Sequence, residues 1–250
     1  MAGFYLTQQK QQAVAQPAEI HYANRPSLSI SHITIKAFYF VPKNLEDELD
    51  GSWQEALDKV LLETKQFYDF QLQQRSNIVY EIYPQPIIGL ASSKEYDGKD
   101  TGHGNPNALL AIQKELNERV FDSKGDLYQK PFSEIEPEEY SIISILYEGV
   151  GASAMMYKTS SGFASDAVNA ADKTIPAFLV SRYFLSSKNY SDFGDSIFAH
   201  EMGHMLGLPD GYDPQTGDTV SEDIMGAGRF RPLKFTYLSA QAKIKLGIIY

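Results

Sequence analysis

Apolar positions along the chain alternate between two periods. The run Ile33 to Val41 (ITIKAFYFV) is rich in β-branched and aromatic residues and predicts a strand. After an acidic turn, Ser52-Trp53-Gln54-Glu55 has the spacing of a capping box. Behind it Trp53, Ala56, Leu57, Val60, Leu61, Phe67 and Tyr68 recur at helical spacing and predict an amphipathic helix over 52–72. IVYEIY (78–83) reads as a second strand, and the Gly-, Asp- and Asn-dense stretch 92–107 as loop. Asn105-Pro106 suits the cap and first turn of a helix to about Phe121, with Leu109, Ile112 and Leu116 inward. SIISILY (141–147) is nearly continuous apolar chain, as in a strand covered on both faces. The Gly- and Ser-rich stretch 148–165 leaves room for a short edge strand around 154–158. IPAFLVSRYFL (175–185) predicts another strand, and Ser191 opens a helix.

Strands alternating with helices imply a largely parallel sheet with helices packed against it, an α+β fold of α/β-like character. Residues 1–30 are polar and Gln-rich with Pro17 and Pro26, and read as an N-terminal extension or loosely packed arm. Residues 31–250 read as a single domain, because neither a repeat nor a linker interrupts them.

Composition narrows the function classes. The 250 residues are 43% hydrophobic and 22% charged, so a globular chain with a sizeable core is expected. A net charge of −10 disfavours nucleic-acid binding, which needs clustered Lys and Arg. No apolar run approaches the roughly 20 residues that span a bilayer. Cysteine is absent, which removes disulfides, thiolate metal sites and cysteine nucleophiles. The first residues lack the apolar core of a signal peptide, so the compartment stays open; a monomer is the default.

Residues 200–210 read His-Glu-Met-Gly-His-Met-Leu-Gly-Leu-Pro-Asp. On a helix, His200 and His204 stand at i and i+4, so both imidazoles leave the same face and can grip one metal ion. Imidazoles at this spacing suit zinc, whose catalytic sites take three protein ligands and keep one position open. Glu201 lies beside that position, placed to act as general base toward a water there. Two surface histidines with no metal are the bland alternative to this reading. Gly207 can end the helix with positive φ and turn the chain, bringing Asp210 back as a third-ligand candidate.

The sequence His200-Glu201-x-x-His204-x-x-Gly207-x-x-Asp210 resembles the elongated zinc signature of metzincin metallopeptidases, with Asp as third ligand. Downstream, Asp-Ile-Met-Gly-Ala-Gly (223–228) is similar to the family's Met-turn, with Met225 beneath the metal. Together with LSAQAKIKLG near residue 247, the pattern most resembles immune inhibitor A-type peptidases; the close likeness covers about residues 190–248. The resemblance implies a metzincin-type catalytic domain: a twisted, mostly parallel sheet with an antiparallel edge strand, a zinc-site helix and a small C-terminal subdomain. Residues 31–207 would be the upper part and 208–250 the lower part. It further implies one catalytic Zn2+ on His200, His204 and Asp210, with Glu201 as base, and a protein or peptide substrate extended along the edge strand, for which 152–159 is the candidate. Secretion is what the family favours. A Tyr found in several metzincins two residues after the methionine is Ala227 here, so Tyr212, Arg229 and Tyr237 become guesses for a transition-state stabiliser.

Other readings stay open. The enzyme could be a zinc hydrolase of another amide or acyl bond, or a catalytically silent zinc-bearing binding module; retention of Glu201 speaks against the latter. Glu222 is the downstream alternative to Asp210. His103 could serve a second metal but reads better as a loop residue, and His21 and His32 read as structural or solvent-facing. Asp213, Asp218, Glu222 and Asp223 could bind calcium with hard oxygens, yet their spacing lacks an EF-hand pattern and favours a solvated acidic loop. The Glu-rich stretch 134–139 reads as a solvated connector. Trp53, Phe67 and Phe70 fit core or half-buried helix positions.

Overall fold

The run ITIKAFYFV lies within strand β1 (His32–Val41) and pairs on both sides. The computed structural model describes residues 19–97, 104–116, 118–119, 140–158, 174–190, 192–213 and 216–249. Strands β2 (Asn77–Ile82), β3 (Ile87–Ile88), β4 (Tyr140–Tyr147), β5 (Ala152–Lys158) and β6 (Thr174–Ser181) complete a sheet in the order β2-β1-β4-β6-β5, with β3 pairing the end of β1. Every pairing is parallel except β5 with β6, so the sheet is mostly parallel with one antiparallel edge strand.

The alternation of β1 sorts its side chains onto two cores. Ile33, Ile35, Ala37, Tyr39 and Val41 face helices α1 (Trp53–Gln71) and α5 (Gly194–Met205). Phe38 and Phe40 face the opposite core with Ala108, Leu109, Ile112 and Leu116 of helix α3 (Pro106–Leu116). All eight residues of β4 are buried, as a strand covered on both faces requires. Asn105 caps α3, its Oδ1 accepting the Ala108 N–H at 3.1 Å. Among the described residues no helix is long and apolar enough to cross a membrane.

Several local expectations need correction. Ser52 makes no capping bond to α1. Its hydroxyl donates to Asp50 and accepts from Arg182, whose guanidinium also reaches Glu148 and Tyr39. The capping box is therefore replaced by an ionic cluster in which Arg182 is buried and Asp50 and Ser52 are exposed. The run 175–185 is strand only to Ser181; Arg182–Ser186 is a helical turn, α4, capped where the Ser181 hydroxyl oxygen accepts the Tyr183 N–H. Ser93–Asp97, expected as loop, is the short helix α2; beyond α3, residues 118–119 are helical while 117 and 120–121 lie outside the described residues, and the helix expected to open at Ser191 begins at Gly194. Phe70 is 75% exposed, while Trp53 stacks on Tyr39 and Phe67 is buried. Residues 19–30 are no loose arm: Ile20, Tyr22, Ala23 and Ile30 are core residues. Helix α6 (Ala240–Lys245) packs against this segment through His21 N–H to Leu246 O and Asn24 N–H to Lys245 O.

Candidate metal centre

Helix α5 is buried along nearly its whole length, and its neighbours fix its axial position. The Tyr68 hydroxyl of α1 donates to Ala199 O at 2.8 Å, and Phe198 meets Phe178 of β6 edge-on. At its end Gly207 has φ +82°, the left-handed conformation that glycine tolerates. Gly207 N–H bonds to His204 O and Leu208 N–H to Gly203 O, the pair of bonds that defines a Schellman cap. The remaining terminal carbonyls are also met: the Tyr140 hydroxyl donates to Met205 O and Ala23 N–H to Leu206 O. Tyr22 packs its ring on Gly207 so closely that a Cβ there would overlap it. The sequence reading missed these partners; the apolar positions Ile20, Tyr22, Leu28 and Ile30 within a polar stretch were the available signal.

The turn delivers Asp210 to the two histidines. Asp210 Oδ1 lies 3.4 Å from His200 Nε2 and 3.2 Å from His204 Nε2, and the two Nε2 atoms are 3.2 Å apart. Each Nδ1 faces a carbonyl, Ile224 O at 3.0 Å for His200 and Leu208 O at 2.8 Å for His204. A carbonyl only accepts, so each Nδ1 carries a proton, and a ring in its neutral, metal-ligating form has its Nε2 lone pair toward Asp210. Asp210 Oδ1 is buried without a hydrogen-bond donor. Three electron pairs thus converge and call for a cation. Zinc bonds of about 2.0–2.1 Å in tetrahedral geometry separate donor atoms by roughly 3.3–3.4 Å, which the triangle matches. Among the described residues this is the group of His and acidic side chains able to share a metal ion.

Charge at the site follows this geometry. Burial pushes the Glu201 carboxyl up, partly offset by the two histidines. Burial would also raise Asp210, but His200 and His204 outweigh it and hold the carboxyl well below the usual range. Burial opposes charge on His204, yet Asp210 and Glu201 raise it. Tyr212, half-buried near Asp210, is pushed up to about 12, by burial first and then by the Asp210 charge.

The triangle opens on a cleft of about 610 Å³ between α5 and the edge strand β5, with Glu201, Pro209, Tyr212, Tyr22 and Ala152–Met155 in its walls. Asn105 N–H reaches Ala152 O, so that carbonyl points away from β6, and strand alternation turns the peptide group of Ala154 to the same outer side.

The other sequence candidates fall elsewhere. Met225 is buried, with its Sδ where a Cβ on Gly203 would fall, on the helix turn between the histidines. Glu222 pairs with Arg231 on the surface and is not in the metal group. Asp223, expected in a solvated loop, is buried: it accepts from the Ser221 hydroxyl, Met225 N–H and Ser239 N–H. Asp213 and Asp218 serve the turn at Thr216. Calcium binding by this loop gains no support from such contacts. Tyr237 is half exposed and only its backbone carbonyl meets Ile224 N–H, whereas Arg229 stacks on Tyr212. His21 and His32 bond to Tyr22 O and the Asn77 side chain, away from the cluster. His103 and residues 134–139 lie outside the described residues.

No protein-family profile matches the chain, and no curated protein matches it. Among solved structures, a zinc-dependent peptidase from Methanocorpusculum labreanum (strain Z) aligns with 86% of this chain and 99% of its own, at 15% identity and a TM-score of 0.34.

Proposed function

We propose that the protein is a zinc-dependent endopeptidase of metzincin type, similar to the immune inhibitor A-type peptidases. The observation that carries the reading is the triangle of His200 Nε2, His204 Nε2 and Asp210 Oδ1, spaced for a tetrahedral ion and open to a cleft with Glu201 in its wall. A zinc ion held by these three residues supplies Lewis acidity, which polarises a substrate carbonyl and eases deprotonation of water. Glu201 takes the proton from the attacking water and passes it to the leaving amine. Its burial raises its proton affinity, which suits a carboxyl that must both accept and return a proton. Met225 floors the site by packing under Gly203. The substrate lies extended beside β5 and adds main-chain hydrogen bonds to its outer edge, with Ala154 the first peptide group on offer.

A diverse peptide mixture with mass-spectrometric mapping of the cuts tests this directly. Internal cuts are expected, lost with a chelator and restored by zinc. Glu201→Gln keeps the zinc ligands, so zinc content should stay near one per chain while turnover falls on the order of 10²-fold or more. Cleavage by Glu201→Gln at the unaltered rate would remove Glu201 as base. Stoichiometric zinc with no peptide cleavage would favour another amide or acyl substrate.

A further inference from the structure

We propose that a second cleft docks a peptide segment carrying an arginine beside an apolar residue. The cleft, of about 450 Å³, lies between α1, the chain entering α5 and residues 232–236. Among the described residues, none lines both this cleft and the one at the metal centre, and its occupancy does not depend on the zinc reading.

One wall is a face of α1. Glu63, Gln66, Phe67, Phe70 and Gln71 stand at i, i+3, i+4, i+7 and i+8, so they leave the helix on one side. The apolar part of such a face is normally covered by another element. Pro232 and Leu233 approach it, yet only Phe67 is buried, while Phe70 is 75% exposed.

The same face carries an amide that the fold uses by half. Gln71 is 4% exposed, and its Oε1 accepts the Leu238 N–H at 2.9 Å. The two Nε2 hydrogens remain as donors with no acceptor among the described residues, on a side chain that lines the cleft. Polar groups buried to this degree are normally paired, and a peptide carbonyl entering the cleft supplies the acceptor.

The charge of the cleft selects what accompanies that carbonyl. Carboxylates face it from two helices, Glu63 from α1 and Asp195 from α5, with Asp192 just before α5. Lys59 stands 3.8 Å from Glu63 and 3.9 Å from Asp195, but its side chain is 63% exposed, and Lys234 on the rim lies over the Phe235 ring. Burial, then Asp195, already pushes the Glu63 carboxyl up to about 7, so a cation seated there favours its ionised form. Arginine suits this wall better than lysine. Its planar fork meets carboxylates with paired hydrogen bonds, and its plane stacks on an aromatic ring such as Phe70. An apolar neighbour in the peptide then reaches Phe67 and Leu233, the uncharged part of the cleft.

Isothermal titration of the full chain with acetyl-Gly-Leu-Arg-Gly-amide, chelator present so that nothing is cut, tests the site. Saturable one-to-one binding is expected, weakened about tenfold or more when citrulline, of the same shape without the charge, replaces the arginine. Phe70→Ala and Asp195→Asn should each weaken binding roughly threefold to thirtyfold. Glu95→Gln, on α2 across the sheet, removes the same charge as Asp195→Asn and should leave binding within twofold. Thermal melts check that each variant folds; Phe70→Ala, at an exposed position, decides alone if Asp195→Asn does not. No binding, a citrulline peptide within twofold, or unaltered binding by Phe70→Ala overturns the proposal. So does an equal loss with Glu95→Gln, which would reduce the effect to net charge. Arginine amide alone binding as tightly as the peptide would likewise remove the peptide as occupant.

Discussion

Asp210 and Glu222 are both acids downstream of the two histidines, and only Asp210 reaches their Nε2 atoms. Asp210→Ala should therefore weaken zinc binding sharply, whereas Glu222→Ala, which loses a surface partner of Arg231, should leave it nearly unchanged. Dialysis against graded zinc buffer, with metal counted per chain, checks the pair; the reverse order would undo the ligand assignment. At this scale the sequence was informative where function depends on local spacing. His200, Glu201 and His204 share one helical turn, and Gly207 announces the bend that follows. Asp223 was not legible, because its importance lies in three hydrogen bonds from Ser221, Met225 and Ser239 that exist only once the chain has closed on itself. Tyr22 was hidden for the same reason: its contact with Gly207 spans most of the molecule.

Helices α1 and α5 pack side by side, and their contact carries a pH dependence. Glu63 of α1 lies against Asp195 at the start of α5, with Lys59 3.8 Å and 3.9 Å from the two carboxylates. Burial first, then the neighbouring Asp195, pushes the Glu63 carboxyl up to about 7 from its ordinary 4.5. Between those values the folded chain holds a proton that the unfolded chain has released, so stability falls as pH rises from about 4.5 to about 7. Glu63→Gln should flatten that slope in melting temperature against pH; an identical slope in both proteins would discount the pair. The period of apolar residues identified α1 and β4 well, since periodicity reports which face is buried. It misread the ends, where Arg182 turned a predicted strand into a helical corner by recruiting Asp50, Glu148 and Tyr39. Caps and corners depend on partners distant in sequence, and no window of residues contains them.

Across the whole molecule, residues 19–30 belong to the core that carries the candidate metal centre. Ile30 is fully buried, so Ile30→Ala should cost about 2–5 kcal/mol, while Ser27→Ala, at an exposed position, should change stability by less than about 0.5 kcal/mol. Chemical denaturation of both variants separates an integrated segment from a dispensable one; equal, small effects would return it to a loose arm. The pairing of His21 and Asn24 with Leu246 and Lys245 has a further consequence for biosynthesis. A chain emerging from the ribosome presents residues 19–24 early, but their partners leave the tunnel more than two hundred residues later. The main-chain bonds of His21 and Asn24 therefore form only after residues 245 and 246 have been made, which places the closing of this part of the core late in folding.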